Sequence, residues 1–332
     1  KWDRWRDKDV QGDEEFIEEQ TLNIWQRFAV DIVEYDAAVR DALDNGRPGC
    51  LRKYEPLRLH MAGDAGSGKS LTVRAMVGRR IRRAMRRLGM SAAEAREIAA
   101  LGAPTGCASF HMKYGASTVH RVYGVPCGYC GKFNKEGAYF KRVQKRLKKA
   151  RLGVLDERSM IGRRFLGKTD YRTGQTLGTR PEKFERDVSM GGLSLVSSGD
   201  DKQAPPILDF PQYVGTFEND GEGNMPGGNK PRPSDVPCNR DFSIRGLNLR
   251  DEFMRTRDEA SGRETGGAAV ILQTVHRIDR GGPGSDTANM TPEQQERYAA
   301  EADRFLKVAK GMADLNWSKE DRDWLNARSL EQ

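Results

Sequence analysis

The sequence predicts an α/β fold in which a parallel sheet carries helices on both faces. Three short apolar runs predict buried strands, and each is followed by glycine or acidic residues: residues 57–61, 152–155 and 193–198. Segments with helical periodicity separate these runs, which favours parallel strands joined by helices. Because polar chemistry in such sheets collects beyond the carboxyl ends of the strands, we expect the functional site there.

Two basic stretches stand out in the composition. The chain has 332 residues, enough for two domains or for one large α/β domain with appendages, and its net charge is +8. Residues 73–90 hold seven arginines and no acid, and residues 141–151 hold seven lysines or arginines and no acid. Such clusters suit a polyanion such as nucleic acid. The alternative for each stretch is a solvated helix face.

Several features bear on the compartment. No apolar run approaches the roughly 18 residues needed to span a bilayer, and no charged-then-apolar leader opens the sequence. The five cysteines form an odd set, which argues against a disulfide framework. We therefore expect a soluble intracellular protein without a membrane partner, with nuclear and cytoplasmic locations both open. Because the sequence begins with Lys1 rather than methionine, we also expect a fragment or a processed chain.

The first predicted elements follow a charge-dense stretch, residues 1–20, that we interpret as a tail or linker. A helix over residues 23–42 carries an apolar stripe at helical spacing: Ile24, Phe28, Ile32 and Tyr35. After the strand at 57–61, a second helix has an apolar face made of Val77, Ile81, Ala84, Met85 and Leu88. Ser91 and Glu94 form a capping-box pattern, and a short strand is expected near residues 98–101.

The remaining elements complete an ATPase-sized domain over residues 21–280. Residues 139–151 predict a basic amphipathic helix before the strand at 152–155, and residues 270–275 predict another core strand. Residues 211–240 are rich in Gly, Pro, Asn and Asp, so we interpret them as an irregular insertion. Residues 281–332 form a helical C-terminal appendage. Its first helix starts with Thr291 as N-cap and Pro292 at the first helical position, and its last starts at Ser318.

Residues 63–70 fit the phosphate-binding pattern G-x-x-x-x-G-K-[ST]. The glycines let backbone N–H groups face phosphates, Lys69 can reach the β- and γ-phosphates, and the following helix adds its dipole. An ordinary glycine turn is the alternative, but the loop lies between a predicted strand and a predicted helix. We therefore predict ATP as the ligand of Gly63, Asp64, Ala65, Gly66, Ser67, Gly68, Lys69, Ser70 and Leu71.

Acidic residues after the next strand complete a candidate hydrolytic site. Hydrolysis of a γ-phosphate needs a magnesium ion, carboxylates and groups that stabilise developing charge. We expect Ser70 and Asp156 to hold Mg²⁺, and Glu157 to polarise the attacking water. Gln203, after the strand at 193–198, is placed to touch both the γ-phosphate and a bound strand. Small and hydroxylic residues over 103–120 would let a nucleic-acid backbone approach closely.

Four blocks together resemble the superfamily 1B DNA helicases of the Pif and RecD-like type: GDAGSGKS at 63–70, APTGCASFHMKYGASTVH at 103–120, VLDERSM at 154–160 and SSGDDKQAPPI at 197–207. Leu22, Asn23 and Gln26 resemble the adenine-recognising Q motif of that family. Arg277 resembles the arginine of its fourth motif, which approaches the γ-phosphate. The resemblance implies a RecA-like sheet, with DNA contacts from Pro104, Thr105, Gly106, Thr118 and His120.

The resemblance further implies ATP-driven 5′-to-3′ movement along single-stranded DNA and unwinding at single/double-strand junctions. Such motors close two RecA-like domains on ATP and act in DNA repair, recombination and telomere maintenance. Nothing after Arg277 resembles the fifth and sixth motifs, and residues 281–332 cannot hold a second RecA-like domain. We therefore expect these residues to bind ATP, to hydrolyse it slowly and to unwind nothing.

Two other functions fit part of the sequence: a P-loop NTPase of another branch that binds RNA or an acidic partner, and a non-catalytic nucleic-acid-binding remnant. Cys127 and Cys130 have the spacing of half a zinc site, but a tight turn with two reduced thiols is favoured. The ligands that might complete the zinc site are Cys107, His111, His120 and Cys238. Three aromatic residues either stack on bases or pack in the core: Tyr123, Tyr129 and Phe133.

Overall fold

The computed structural model describes residues 22–44, 55–178, 188–214, 237–254, 267–273, 290–313, 318–321 and 323–324. Within them the chain forms two compact units. The first draws on Lys1–Gly63 and Gly68–Gln273, and the second draws on Asp64–Ser67 and Thr274–Gln332. The predicted tail over 1–20, most of the predicted insertion and Arg277 lie outside the described residues.

A parallel sheet lies at the centre of the first unit. Its strands are β1 (Arg58–Gly63), β2 (Ala99–Ala103), β3 (Ser117–Thr118), β4 (Leu152–Leu155), β5 (Ser194–Gly199) and β6 (Gly267–Leu272). They form one six-stranded sheet in the order β3-β2-β4-β5-β1-β6, and every neighbouring pair is parallel. The predicted α/β fold with a parallel sheet is confirmed.

Helices surround this sheet. Those described are α1 (Ile24–Asp44), α2 (Lys69–Leu88), α3 (Ala92–Arg96), α4 (Gly106–Met112), α5 (Val119–Tyr123), α6 (Ala138–Leu147), α7 (Arg163–Leu177), α8 (Asn239–Met254) and α9 (Pro292–Ala313). Alternate residues of a strand face opposite sides, so Leu152 and Val154 pack in the core that includes α1 and α2. Leu155 packs in a second core that includes α5 to α8. Helices therefore cover both faces, as predicted.

The appendage helices begin where their capping residues predict. Thr291 Oγ1 accepts a hydrogen bond from the N–H of Gln294 at 3.3 Å, and Gln294 Oε1 accepts from the N–H of Thr291 at 2.9 Å. Pro292 therefore opens α9 without losing a backbone hydrogen bond. Ser318 and Asp321 make the same reciprocal pair, with distances of 3.0 and 3.1 Å. Both predicted helix starts are confirmed.

The first helix is confirmed, but its most regular apolar stripe is not its buried face. Ile24 is 77% exposed, and Phe28 and Tyr35 are exposed as well, whereas Ile32 of the same stripe is partly buried and packs against the core. The helix instead packs toward α2 and β6 through smaller side chains. The buried apolar residues are Ala29, Val30, Val33 and Ala37. The periodicity identified the helix correctly, whereas the size of the side chains gave no guide to the face that packs.

Helices α7 and α8 were not predicted. The buried side of α7 is polar, but its threonine hydroxyls all have hydrogen-bond partners within the helix. Those of Thr169, Thr173 and Thr176 donate to the carbonyl oxygens one turn earlier at 2.7 to 2.8 Å. Two glycines let α7 and α8 touch along their backbones. A methyl group on Gly167 would lie 1.9 Å from the carbonyl oxygen of Phe242, and one on Gly246 would lie 1.9 Å from that of Arg163.

The described residues also bear on the thiols and on membranes. The four cysteines for which the structure gives side chains, Cys107, Cys127, Cys130 and Cys238, are free thiols. Among the described helices, none combines the length and the apolar character required to cross a bilayer.

Candidate functional site

The candidate residues lie on loops at one edge of the sheet. Strands β4, β5 and β1 are neighbours, so the segments that follow them meet beyond their carboxyl ends. Lys69 follows β1, Asp156 follows β4 and Gln203 follows β5. Strand β2 lies on the other side of β4, and it brings Pro104 and Thr105 to the same edge.

The candidate phosphate-binding loop contains two glycines with positive φ. Gly68 has φ 84° at the N-terminus of α2, and Gly66 has φ 85°, conformations that side chains other than glycine rarely adopt. Lys69 is buried, and its Nζ donates to the carbonyl oxygen of Gly63 at 2.7 Å. Asp64–Ser67 belong to the second unit, where the N–H of Ser67 donates to the carbonyl of Asp64 at 3.1 Å.

Asp156 is a buried carboxylate at the end of β4. Its N–H donates to the carbonyl oxygen of Gly102 at 3.0 Å, which fixes the residue beside β2. Burial raises the pKa of Asp156 above its ordinary value, while the Ser198 hydroxyl, the Glu157 N–H and the charge of Lys69 act in the opposite direction. The ionised carboxylate therefore lacks full compensation from the protein, and a cation would stabilise it.

Glu157 turns sharply out of the strand. Its φ and ψ are both 52°, in the left-handed region that a residue with a side chain seldom occupies. The turn leaves Asp156 buried and Glu157 partly exposed. Left-handed backbone at a non-glycine residue is commonly found where function requires a set direction for the side chain.

The residues proposed for magnesium have suitable chemistry. Mg²⁺ prefers hard oxygen donors, and it usually binds through one or two carboxylates together with phosphate oxygens. Asp156 supplies a buried carboxylate whose negative charge is only partly compensated by neighbouring groups. Ser70 supplies a hydroxyl in the first turn of α2. The residues present fit this ion.

Gln203 lies in a polar turn after β5. Its N–H donates to the carbonyl oxygen of Asp200 at 3.1 Å, and its Nε2 lies 3.4 Å from the Asp200 carboxylate. It lines a cavity of about 160 Å³ together with Arg158, which forms an ion pair with Asp201. Burial and the charge of Arg158 lower the pKa of nearby His60, on β1, to about 4.

Gln26 is buried and caps its own helix. Its Oε1 accepts from the N–H of Asn23 at 3.0 Å, and its N–H donates to Asn23 Oδ1 at 2.9 Å. This reciprocal pair fixes the start of α1. Adenine recognition by Gln26 stays a prediction, and so does the role of Arg277, which lies outside the described residues.

Three of the five predicted DNA contacts line a groove of about 520 Å³ in the first unit. Pro104, Thr105 and His120 line it. Thr105 also caps α4, because its Oγ1 accepts from the N–H of Ala108 at 3.2 Å. Gly106 opens α4, and Thr118 precedes α5. These two neighbour the lining residues in sequence but do not line the groove.

His120 serves a local turn with one nitrogen. Its Nδ1 lies 2.9 Å from the carbonyl oxygen of Val125, which assigns the proton to Nδ1 because a carbonyl only accepts. Its ring packs on Phe165 with centroids 4.5 Å apart. His120 therefore secures a local turn and lines the groove at the same time.

Sequence reasoning missed the α7 wall of the groove, the part of its lining that α7 and the loop after β5 form. Arg164, Lys168, Ile207 and Leu208 lie on this wall. Leu208 is 94% exposed, with φ 55°. Arg164 and Lys168 are one helical turn apart, a spacing that is visible in the sequence once α7 is known.

Asp209 fixes this wall in place. Its carboxylate accepts from the N–H of Phe165 at 2.8 Å and from the N–H of Arg164 at 3.3 Å, and it also pairs with the Arg164 guanidinium at 2.9 Å. Asp209 thus caps α7 from a distant part of the chain. A methyl group on Gly162, the residue before α7, would lie 2.2 Å from Asp209 Cγ, so this position requires glycine.

The Cys127–Cys130 turn also borders the groove. Lys168 Nζ donates to the carbonyl oxygen of Gly128 at 2.9 Å, which secures the turn. Within the described residues, no group of three or more His, Cys, Asp or Glu side chains is arranged to hold a metal. Stacking of bases on Tyr123 is excluded, because its ring is fully buried and its hydroxyl donates to the Ala100 carbonyl at 3.0 Å.

Comparison with known proteins identifies relatives of this fold. A Pif1 helicase, solved in work on unwinding of forked double-stranded DNA by two coordinating Pif1 helicases, matches with a TM-score of 0.51 and 16% identity, covering 92% of this chain and 51% of that one. The Candida albicans Pif1 helicase matches with a TM-score of 0.46 and 17% identity, covering 91% and 46%. Bacteroides Pif1 bound to single-stranded DNA gives 0.45 and 17%, covering 86% and 48%.

The chain thus spans about half the length of these structures. No curated protein matches the sequence. The expected RecA-like sheet and the resemblance to superfamily 1B helicases of the Pif type are confirmed. A family model described as PIF1-like helicase matches residues 51–218, about half of the sequence, and the chain belongs to that family.

Proposed function

We propose that this chain is the ATP-binding motor domain of an ATP-dependent DNA helicase that moves 5′-to-3′ on single-stranded DNA and acts at single/double-strand junctions. The observation that carries the proposal is the order of the strands. Strands β1, β4 and β5 present the candidate nucleotide residues, and β2, next to β4, presents Pro104 and Thr105 to the groove. Roles in DNA repair, recombination and telomere maintenance follow from the family resemblance alone.

Each of the candidate nucleotide-binding residues has its own role in ATP hydrolysis. Lys69 contacts the β- and γ-phosphates, and it gives up its bond to the Gly63 carbonyl to do so. Ser70 and Asp156 would hold Mg²⁺, and the bound ion would supply positive charge that stabilises the phosphates during hydrolysis. Glu157, turned out of the strand by its left-handed backbone, orients the attacking water. Gln26 contacts adenine.

Gln203 links nucleotide and DNA. It lies in the same loop as Ile207 and Leu208, which line the groove. A single strand in the groove would meet Thr105, His120 and Lys168, which all line it. Phosphate contacts of this type fix the register of a strand without reading its sequence.

Nucleotide binding by Lys69→Ala tests the phosphate role. A non-hydrolysable ATP analogue should bind the variant about ten-fold or more weakly, because hydrogen bonds to charged groups contribute about 1.5–3 kcal/mol. Lys135→Ala removes an exposed lysine elsewhere on the first unit and serves as the matched control. Equal analogue affinity in the two variants would contradict the assignment.

Turnover with and without nucleic acid tests the motor role. Single-stranded DNA should stimulate ATP hydrolysis by the unaltered protein, and Lys69→Ala should lose that stimulation. Stimulation by single-stranded RNA but not by DNA would instead favour another branch of P-loop NTPases. Analogue binding without turnover would support the incomplete motor expected from the sequence. Absence of analogue binding would favour a non-catalytic remnant and would contradict the motor role.

A further inference from the structure

Helix α6 carries an exposed basic face outside the sites described above. The helix packs inward through Phe140, Val143 and Leu147, which are buried against the core shared with α5 and α7. The opposite side is exposed to solvent. Its basic residues are Lys141, Arg142, Lys145 and Arg146.

Acidic neighbours reach only the margins of this helix. Lys149, just after α6, pairs with Glu94 at 3.1 Å and Glu97 at 3.3 Å. Lys141 lies 3.7 Å from Glu136. For Arg142, Lys145 and Arg146, no carboxylate of a described residue lies within ion-pair distance.

A fourth cation joins this uncompensated group. Arg146 donates a hydrogen bond to the carbonyl oxygen of Arg121, on α5, which brings two exposed arginines together. Burial and the charges of Arg121 and Arg142 all lower the pKa of Arg146. We name Arg121, Arg142, Lys145 and Arg146 the α6 basic face. Like charges held together without acids create a positive potential that attracts an anion.

The α6 basic face begins next to the groove. Arg121 directly follows His120 in α5, and His120 lines the groove. The carbonyl that accepts from Arg146 therefore belongs to the residue adjacent to a groove-lining residue. A nucleic-acid strand that leaves the groove past α5 would therefore meet Arg121 of the basic face next.

We propose that the α6 basic face binds the phosphate backbone of nucleic acid that extends beyond the groove. This rests on the function proposed above. Arginine suits the role because its guanidinium matches phosphate oxygens in a bidentate geometry. The backbone belongs either to a longer single strand or to the duplex arm of a junction, and both present the same phosphate chemistry.

The test compares two double variants of equal charge. Arg142→Gln with Lys145→Gln removes two cations from the α6 basic face, and Arg86→Gln with Arg87→Gln removes two exposed cations from the end of α2. Affinity is measured by fluorescence anisotropy from about 50 to 200 mM salt, where the slope of log affinity against log salt counts phosphate contacts. Three DNAs are compared. The first is a single strand of about ten nucleotides, near the length that a single groove holds. The other two are a longer single strand and a junction with a duplex arm.

Loss of two contacts should reduce the salt slope by about two on the longer strand, the junction or both, with the short strand and the α2 variant unaffected. A loss on the longer strand assigns the contact to single-stranded backbone, and a loss on the junction alone assigns it to the duplex arm. Equal slopes for the two variants on every DNA would overturn the proposal. Failure of the unaltered protein to bind the short strand would count against the groove, whereas the basic face would still be judged on the longer DNAs.

Discussion

Helices α2 and α6 are both rich in cations, yet their surroundings differ. On α2, Arg79 pairs with Asp31 at 2.7 Å, and Arg83 pairs with Glu34 at 2.6 Å and Asp41 at 2.7 Å. All three carboxylates lie on α1. On α6, the central cations have no such partner among the described residues. A cluster of like charges in a sequence therefore identifies a binding surface only when the facing helix fails to neutralise it.

The α2 pairs are structural contacts between two helices. They are partly exposed, and pairs of this kind each contribute about 0.2–1 kcal/mol to stability. Of the two basic stretches considered as polyanion sites, residues 73–90 thus use Arg79 and Arg83 for contacts with α1. In residues 141–151, the α6 cations Arg142, Lys145 and Arg146 have no carboxylate partner among the described residues.

The largest effect is expected from reversing the charge of α6. Arg142→Glu with Lys145→Glu should weaken binding to a junction by about 100-fold or more at low salt, because repulsion replaces two phosphate contacts. Thermal stability should stay unchanged, since both side chains are exposed. Anisotropy and a melting curve on the same sample check the two expectations. An equal loss from Arg86→Glu with Arg87→Glu would remove the distinction between the two helices.

His60 differs from the cations of α2 and α6, because this basic side chain is uncharged at neutral pH. Burial and Arg158 lower its pKa from 6.5 to about 4. The unfolded chain therefore binds more protons than the folded chain between these values, and stability rises with pH across this window. At pH 5 the loss relative to neutral pH is about 2 kcal/mol from this group.

Urea unfolding at pH 5 and at pH 7.5 measures this dependence. His60→Gln should remove most of the difference that His60 contributes between the two pH values. An unchanged difference in the variant would mean that His60 is not desolvated as the structure indicates.

A smaller effect is expected at Arg83, which contacts two carboxylates of α1. Arg83→Gln should lower the free energy of unfolding by about 1 kcal/mol, since two partly exposed pairs are lost. DNA affinity should not change beyond the non-specific effect of one charge. Urea denaturation with Arg87→Gln as the control checks the first expectation, and a specific loss of DNA binding would place α2 in the interface.

The smallest effect is expected from removing the two ion pairs of Lys149. Glu94→Gln with Glu97→Gln frees this lysine beside the α6 basic face, and Gln at position 94 can still complete the capping box with Ser91. The salt slope on long DNA should increase by at most about one. An unchanged slope would limit the interface to α6 itself and α5.

The parts of the fold that obey simple periodicity could be predicted. Strand β4 was predicted to the residue, because it is a short run without polar side chains. The prediction of β5 was displaced by one residue; this strand combines two apolar residues with three serines. Helix α7 could not be predicted, since its buried side carries Asp170 and Arg172 as well as threonines. Their hydrogen bonds form only in the folded chain: Asp170, for example, accepts from the N–H of Met190 and pairs with Arg245 on α8.

The candidate site divides in the same way. Loops that directly follow strands were placed correctly at one edge, because a parallel sheet brings those ends together. The α7 wall of the groove depends on Asp209, which caps a helix that begins 46 residues earlier, at Arg163. No local pattern marks such a cap. The contact between Asp209 and α7 could therefore not be predicted from the sequence, because the two lie far apart along the chain.

That cap also has a mechanical consequence. Gln203 and Asp209 belong to one short loop, and Asp209 is bonded to the first turn of α7. Helix α7 in turn touches α8 backbone to backbone at Gly167 and Gly246, so the pair resists sliding. A displacement of Gln203 toward a phosphate would therefore shift the loop and helix α7 together as one rigid part. The side of the groove that α7 forms would move with Gln203.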